Sequence, residues 1–148
     1  MKKPATPGFW DTSALMLLIC RQPLSAKARA AHRVYALLYV WWGTQVECQS
    51  ALQRLIREKA LLGAEQQQSF ATLSRLSRQW FEILPTEDLR QQAERLLAAH
   101  PLRAADALQL AAALDWCNGF PKGRHFICAD KNLSEAADKE GFTVTFLK

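Results

Sequence analysis

The feature of the sequence that most constrains the fold is an apolar stretch near the carboxyl end, residues 102–114, which reads LRAADALQLAAAL. Ala and Leu are strong helix formers, Pro101 suits a first helical turn, and Asn118-Gly119 ahead of Pro121 is a stop signal. This helix is apolar nearly all the way round, which indicates that it is buried. A carboxylate is costly to bury unless it is paired or coordinated, so Asp106 in its middle requires a partner.

The helix alone is consistent with two partners for Asp106. Arg103 lies three residues earlier and can reach the carboxylate on the same side of the helix. The alternative is a cation that Asp106 holds jointly with acidic side chains from elsewhere in the chain. Both readings stay open at this point.

Length and charge limit the class of protein. A chain of 148 residues is about one domain, and we expect a single domain over residues 1–148 with residues 1–7 as a loose lead-in. A content of 49% hydrophobic and 22% charged residues is typical of a globular protein rather than a disordered one. The net charge of +5 favours a polyanionic partner.

The cysteines and the apolar segments indicate a cytoplasmic protein without a membrane association. The four cysteines lack any metal-ligand spacing and lie in or beside apolar segments, so we expect buried free thiols in a reducing compartment. The basic start is not followed by a signal-peptide pattern, and no stretch approaches the ~20 apolar residues of a membrane span. The cysteines are Cys20, Cys48, Cys117 and Cys128.

Strand and helix patterns alternate along the chain. This alternation predicts an α/β fold, with helices on both faces of a central, mainly parallel sheet of about four to five strands. The predicted strands are 8–10, 35–42, 81–84, 125–128 and 142–146. The predicted helices are 14–20, 25–33, 45–62, a segment after Gly63 that runs to about Trp80, a segment from Thr86 to about Leu97, 102–114 and 132–140. Asn132 and Glu135 have capping-box spacing, so Asn132 is expected to cap the last helix.

Four acidic residues fall at one edge of this predicted sheet. Asp11 and Asp130 follow the first and fourth strands, Glu47 starts the helix after the second strand, and Asp106 lies in the first turns of its own helix. Ligands gather at the carboxyl ends of the strands in such sheets. We therefore expect these four side chains to lie near one another.

Two of these acids also have a local explanation. Asp11, or its neighbours Thr12 and Ser13, could simply be the N-cap of the first helix. Glu47 stands three residues after Thr44, which is capping-box spacing, so its side chain could fold back on the first amide of its helix.

Convergence of the acids would point to metal chemistry. Four carboxylates brought together without a cation would repel one another and raise their pKa values. Oxygen-only ligands suit Mg²⁺ or Mn²⁺, and these ions can activate a water and stabilise charge on a phosphoryl group. The chemistry predicted for this edge is phosphodiester hydrolysis.

Several segments also carry a resemblance to a known family. The segments FWDTSAL (9–15), LRAADALQLA (102–111) and ICADKNL (127–133), together with Glu47, resemble the PIN domain, and most of all its VapC-type ribonuclease toxins from bacterial toxin–antitoxin pairs. The resemblance implies a three-layer α/β/α fold and a metal-dependent endoribonuclease acting on single-stranded tRNA, rRNA or mRNA. It also implies a homodimer and inhibition by a cognate antitoxin.

The resemblance assigns Mg²⁺ or Mn²⁺ binding to the four acids. We expect Asp11 and Asp106 to be direct ligands, Glu47 to bind directly or through water, and Asp130 to hold a second ion or a bound water. The sequence departs from the family in a short, proline-flanked first strand, in the aromatic Trp41-Trp42-Gly43 before Glu47, and in Cys128, where Thr or Ser is common.

Other residues are expected to support the site or to bind RNA. Ser13 could contribute a hydroxyl, although an N-cap role is favoured, and Arg103 could hold Asp106 or contact phosphate. Trp10, Trp41 and Trp42 lie in predicted strands, so core packing is favoured over base stacking. The candidates for backbone phosphate contacts are Arg54, Arg57, Arg75 and Arg78.

Three alternatives belong to other classes. A phosphohydrolase with an aspartyl nucleophile would want a second Asp two residues after Asp11, where Ser13 stands. A phospho-accepting receiver would want an acidic pair near the first strand, which is missing although Lys131 is present. A PIN-like module with a silent site would bind a partner without catalysis.

Overall fold

The structure is a computed structural model that describes residues 4–148. The predicted lead-in, residues 1–7, therefore lies partly outside the described residues, which begin at Pro4. The carbonyl of Thr6 accepts a hydrogen bond from the backbone of Leu37 (3.4 Å), and Pro7 already belongs to the first strand.

Within residues 4–148 the chain forms five strands and seven helices, and these alternate broadly as the sequence predicts. The strands are β1 (Pro7–Trp10), β2 (Leu37–Trp41), β3 (Phe81–Ile83), β4 (His125–Cys128) and β5 (Thr143–Phe146). The helices are α1 (Thr12–Ile19), α2 (Ser25–Val34), α3 (Thr44–Arg57), α4 (Ala64–Gln79), α5 (Glu87–Ala99), α6 (Ala104–Trp116) and α7 (Lys131–Glu140).

All strand pairs of the sheet are parallel, and the strand order is β3-β2-β1-β4-β5. The short β1 is the central strand, where Phe9 pairs with Tyr39 on one side and with Phe126 on the other. From β1 the chain adds β2 and then β3 on one side of the sheet. It then crosses to the other side of β1 and adds β4 and β5 there. The gap between β1 and β4 is thus the topological switch point, where α/β sheets bind their ligands.

The three inner strands, β1, β2 and β4, send alternate side chains into two separate cores. Trp10, Val40 and Ile127 pack with α1 to α4 on one face, whereas Phe9 and Phe126 pack with α5 to α7 on the other. A sheet covered on both faces explains why the strands read as continuous apolar runs. The predicted three-layer α/β/α fold is confirmed.

Gly8 is required by the close packing at the switch point. A Cβ at this position would lie 2.6 Å from Cδ1 of Ile127 and 3.1 Å from Cβ of Tyr35. A side chain there would require Ile127 and Tyr35 to move from their packed positions.

The ends of several helices differ from the prediction by one to five residues. Helix α3 stops at Arg57 rather than near residue 62, and α6 starts at Ala104, so Pro101 lies outside it. Helix α7 starts at Lys131 with Asp130, not Asn132, as its N-cap. The carboxylate of Asp130 accepts from the backbone N–H of Leu133 (2.9 Å), and this bond supplies the capping that Asn132 was expected to provide.

The cysteines and the apolar helix are buried as predicted. Trp42, which was expected in the core, is exposed. All four cysteines are buried and free, and α6 is buried over most of its length. Trp10 and Trp41 lie in the core, but Trp42 is 52% exposed because β2 ends one residue before it. No helix among the described residues is both long enough and apolar enough to span a membrane.

Candidate active site

The four predicted acids line one open cleft at the carboxyl edge of the sheet, beside the switch point. The cleft has a volume of about 340 Å³. Its walls come from α1, α3 and α6 and from the start of α7, and they include Asp11, Glu47, Asp106, Asp130, Thr12, Ser13, Arg54 and Gln109. The separate local explanations of these acids therefore do not prevent their convergence.

Asp11 lies at the floor of the cleft and is only 4% exposed. It is also the N-cap of α1, because its carboxylate accepts from the backbone N–H groups of Ser13 (3.2 Å) and Ala14 (3.3 Å). Burial raises the pKa of Asp11 from 3.8 to about 7, against the lowering effect of these hydrogen bonds. Asp11 therefore caps α1 and lines the cleft at the same time.

Ser13 does not cap the helix, in contrast to the favoured prediction. Its hydroxyl contacts both carboxylate oxygens of Asp11 (2.8 and 2.9 Å) and accepts from the backbone N–H of Ala129 (2.9 Å). Ser13 thereby connects the carboxylate after β1 to the backbone after β4. Cys128, which stands where Thr or Ser is common, has its Sγ 3.8 Å from the Ser13 hydroxyl.

Glu47 does not form the capping box that its spacing suggested. Helix α3 begins after Gly43 without a side-chain cap, and the carboxylate of Glu47 instead accepts a hydrogen bond from Nε2 of Gln109 (3.0 Å). Burial raises the pKa of Glu47, hydrogen bonds from Gln109 and Thr12 lower it, and the charge of Asp106 raises it further. The side chain is turned into the cleft rather than back along its own helix.

Asp106 lies in the first turn of α6 and is partly buried. Burial raises its pKa, and the neighbouring Asp130 raises it further. The expected ion pair with Arg103 is not formed, although the backbone and the charge of Arg103 lower the pKa somewhat. Arg103 is itself exposed at the N-cap position of the helix.

The four acidic side chains of the cleft have no ion pair with a basic side chain of the described residues. In the described range, the ion pairs of Lys, Arg and His involve Glu87 and Glu140, and none involves the four acids of the cleft. Raised pKa values at three of these acids are what burial and mutual repulsion produce when no cation compensates them.

The donor set fits a hard divalent cation that keeps part of its water shell. Within residues 4–148, no three His, Cys, Asp or Glu side chains stand close enough to form a ready-made cage for an ion. Mg²⁺ is ordinarily bound through one or two carboxylates, several waters and substrate phosphates rather than in such a cage. A cleft of this volume with carboxylates on several walls suits that mode of binding.

The sequence reasoning did not single out Gln109, the polar residue that connects the walls of the cleft. Its Nε2 lies 3.0 Å from each of three oxygens, those of Thr12, Thr44 and Glu47. The signal was present, since Gln109 is a long polar residue inside an apolar helix, three positions after Asp106 and on the same face. The apolar character of the helix masked it.

The fold and the cleft define an α/β/α protein with an acidic site at the switch point of a parallel sheet, and solved structures share this fold. A toxin–antitoxin complex from Klebsiella pneumoniae matches with a TM-score of 0.59 and 17% identity, over 86% of this chain and 90% of that chain. PAE2754 from Pyrobaculum aerophilum matches with a TM-score of 0.63 and 18% identity, over 95% of this chain and 91% of that chain.

A third solved structure, FitAcB from Neisseria gonorrhoeae, matches with a TM-score of 0.62 and 16% identity, over 92% of this chain and 94% of that chain. At these identities the likeness shows the fold alone, and it agrees with the predicted three-layer α/β/α architecture. No family model and no curated protein matches the sequence.

Proposed function

We propose that this protein is a Mg²⁺- or Mn²⁺-dependent endoribonuclease that hydrolyses phosphodiester bonds in single-stranded or looped RNA. The observation that carries the proposal is the convergence of four uncompensated carboxylates on one cleft at the switch point. A chain with a net charge of +5 that concentrates acids in one place is suited to binding a cation there and a polyanion around it.

Each acid has a distinct role in this proposal. Asp11 and Asp106 would hold the ion directly, Glu47 would bind it directly or through water, and Asp130 would hold a second ion or a bound water. The ion, when bound, supplies activation of a water and stabilisation of the charge that develops on the phosphoryl group. The hydroxyl of Ser13 keeps the carboxylate of Asp11 oriented toward the cleft.

Arg54 would bind the RNA backbone beside the reacting phosphate. Glu47 and Arg54 are seven residues apart on α3, nearly in line along one face, and both line the cleft. At 1.5 Å per residue they are separated by about 10 Å along the helix axis. Arg54 is thus placed to contact a phosphate next to the one that the acids surround.

We further propose that the protein is the toxin of a toxin–antitoxin pair and a homodimer, with a cognate antitoxin as its partner. One of the solved structures with this fold is a toxin–antitoxin complex. A basic side chain of an antitoxin inserted into the acidic cleft would inhibit the protein by occupying the place of the cation. Trp42 and Val46 are exposed apolar side chains beside Glu82 of the outer strand β3, and they support an interface with a second copy.

The test is cleavage of a mixed pool of tRNA and rRNA by the purified protein in Mn²⁺, in Mg²⁺ or in EDTA. Asp106→Asn keeps the shape and removes the charge, and we expect a loss of activity of more than about 100-fold, since changes in outer-shell residues alone cost 10- to 100-fold. Asp115→Asn, at an exposed acid of the same helix, is the matched control and should retain activity.

The outcomes separate the competing functions. Equal activity of wild type and Asp106→Asn would contradict the site. Absence of cleavage together with Mn²⁺ binding by the wild type alone would keep the site and reject the tested tRNA and rRNA as substrates. Absence of both would favour a silent binding module. Growth arrest on expression of the wild type but not of Asp106→Asn, and light scattering for the dimer, test the toxin and homodimer proposals.

A further inference from the structure

The amide of Gln109 is the polar centre of the cleft floor. The side chain is 1% exposed, in a helix whose other buried residues are Ala and Leu. Its Nε2 lies 3.0 Å from Oγ1 of Thr12, Oγ1 of Thr44 and Oε2 of Glu47. These oxygens belong to α1 and α3, so one amide contacts both helices that face α6 across the cleft.

The orientation of this amide is set by Glu47. An amide nitrogen only donates and an amide oxygen only accepts, so turning the group over would place Oε1 against a carboxylate oxygen. The nitrogen therefore faces Glu47, and Oε1 finds no hydrogen-bond partner among residues 4–148. Leaving a buried acceptor unpaired is unfavourable. The contacts of the nitrogen with Glu47 and the two threonines are thus made although the oxygen of the same amide has no partner.

Resting on the proposed function, we propose that Gln109 is a positioning residue that holds the carboxylate of Glu47 in the cation site. Gln109 and Asp106 lie on one face of α6, so the helix that supplies one acid also orients another. The hydroxyl of Thr44 accepts from the same amide and fixes it against the first turn of α3. These contacts hold the carboxylate of Glu47 in a fixed position relative to Asp106, so that it does not turn into solvent.

The test compares Mn²⁺ affinity, measured by calorimetry without RNA, in the wild type, Gln109→Met, Glu47→Gln and the double variant. Methionine keeps the volume and removes the hydrogen bonds. We expect Gln109→Met to weaken Mn²⁺ binding about 10- to 100-fold, the usual effect of losing a partner that orients a ligand. The double variant should bind no more weakly than Glu47→Gln alone, because Gln109 acts through Glu47.

Two further variants separate positioning from folding. Ser69→Ala removes another buried hydroxyl, which contacts Cys20 outside the cleft, and it should leave Mn²⁺ affinity unchanged. Thr44→Val removes only the hydroxyl that anchors the amide, and it should weaken binding in the wild-type background but not in the Glu47→Gln background. This second comparison tests the inference even if Gln109→Met does not fold.

Failure of the inference and failure of the proposed function give different results. Absence of Mn²⁺ binding by the wild type would overturn both. Tight binding by the wild type, with Gln109→Met and Thr44→Val unchanged, would overturn the positioning role alone. Independent losses that add in the double variant would also overturn it, since they would show that Gln109 does not act through Glu47.

Discussion

At the scale of the residue, the cleft shows that one carboxylate can serve both the fold and the site. Asp11 caps α1 with both carboxylate oxygens, Asp130 caps α7 with one, and both residues line the cleft. The carboxylate of Glu47 does not cap its own helix and instead accepts a hydrogen bond from Gln109. Asp11 gains backbone hydrogen bonds, but burial still raises its pKa, so the ionised form of this carboxyl is unfavourable in the folded protein.

The unfavourable ionisation of the buried Asp11 carboxyl predicts a stability gain for Asp11→Asn in the metal-free protein. Asn is also a good N-cap, so the change removes the charge and keeps one of the two oxygens that accept backbone N–H groups. The pKa of Asp11 rises from 3.8 to about 7 on folding, so the native state binds the proton more tightly and stability is lost as the pH rises between these values. We expect the advantage of Asp11→Asn to grow by on the order of 2 kcal/mol between pH 5 and pH 8.

Denaturant unfolding in EDTA at the two pH values measures this advantage. Asp115→Asn, at an exposed site, should stay within about 0.5 kcal/mol of the wild type at both pH values. An advantage of Asp11→Asn that did not change with pH would contradict the burial of an ionisable carboxyl at this position.

At the scale of the element, α3 and α6 each present a functional face that their composition only partly reveals. Helix α6 is nearly all apolar, and yet Asp106 and Gln109 share the side that meets the cleft. Helix α3 places Glu47 and Arg54 on the cleft, while Arg57 at its last turn lies off it. Helical periodicity of 3.6 residues, rather than the presence of charge, decides which arginine belongs to the site.

We therefore expect Arg54→Gln and Arg57→Gln to differ in RNA cleavage. Arg54→Gln should raise KM several-fold and reduce the dependence of log(kcat/KM) on log[salt] by about 0.7, the effect of one lost phosphate contact on a single strand. Arg57→Gln, on the same helix but outside the cleft, should leave both quantities near their wild-type values. Steady-state kinetics at several salt concentrations would show this, and equal effects would contradict a specific phosphate contact.

At the scale of the whole molecule, the site exists only when the sheet is assembled. Its acids come from positions 11, 47, 106 and 130, and the order β3-β2-β1-β4-β5 brings them to one edge. The short β1 can be central because both of its faces are covered and both of its neighbours are parallel. An unfolded chain has these carboxylates far apart and binds a divalent ion weakly.

Mn²⁺ should therefore stabilise the fold by binding the native state alone. At a free concentration of about 100 times Kd the gain is roughly 2.7 kcal/mol. For a chain of this size we expect a rise in Tm on the order of 5–10 °C. Calorimetric scans with increasing Mn²⁺ would measure this rise. The Asp106→Asn variant should show a much smaller one, and an equal rise in both proteins would place the ion elsewhere.

Most elements of the fold could be predicted from local pattern, because helix propensity, strand propensity and turn residues act over a few neighbours. The predicted ends of the strands agree with the structure to within a few residues. The predicted ends of the helices are less accurate, because a helix end depends on which side chain forms hydrogen bonds with the unpaired backbone amides. Asp130 rather than Asn132 caps α7, and Glu47 turns away from its own helix, since partners from other segments compete for these groups.

The sequence by itself determined the α/β class, the buried helix and the edge at which the acids fall, because periodicity and strand order constrain these directly. Only the tertiary structure decided what each acid contacts. The absence of an Arg103–Asp106 ion pair, the exposure of Trp42 and the amide of Gln109 between α1, α3 and α6 all depend on distances between segments that lie far apart in the chain. Such distances are fixed by packing of the two cores, which no local pattern records.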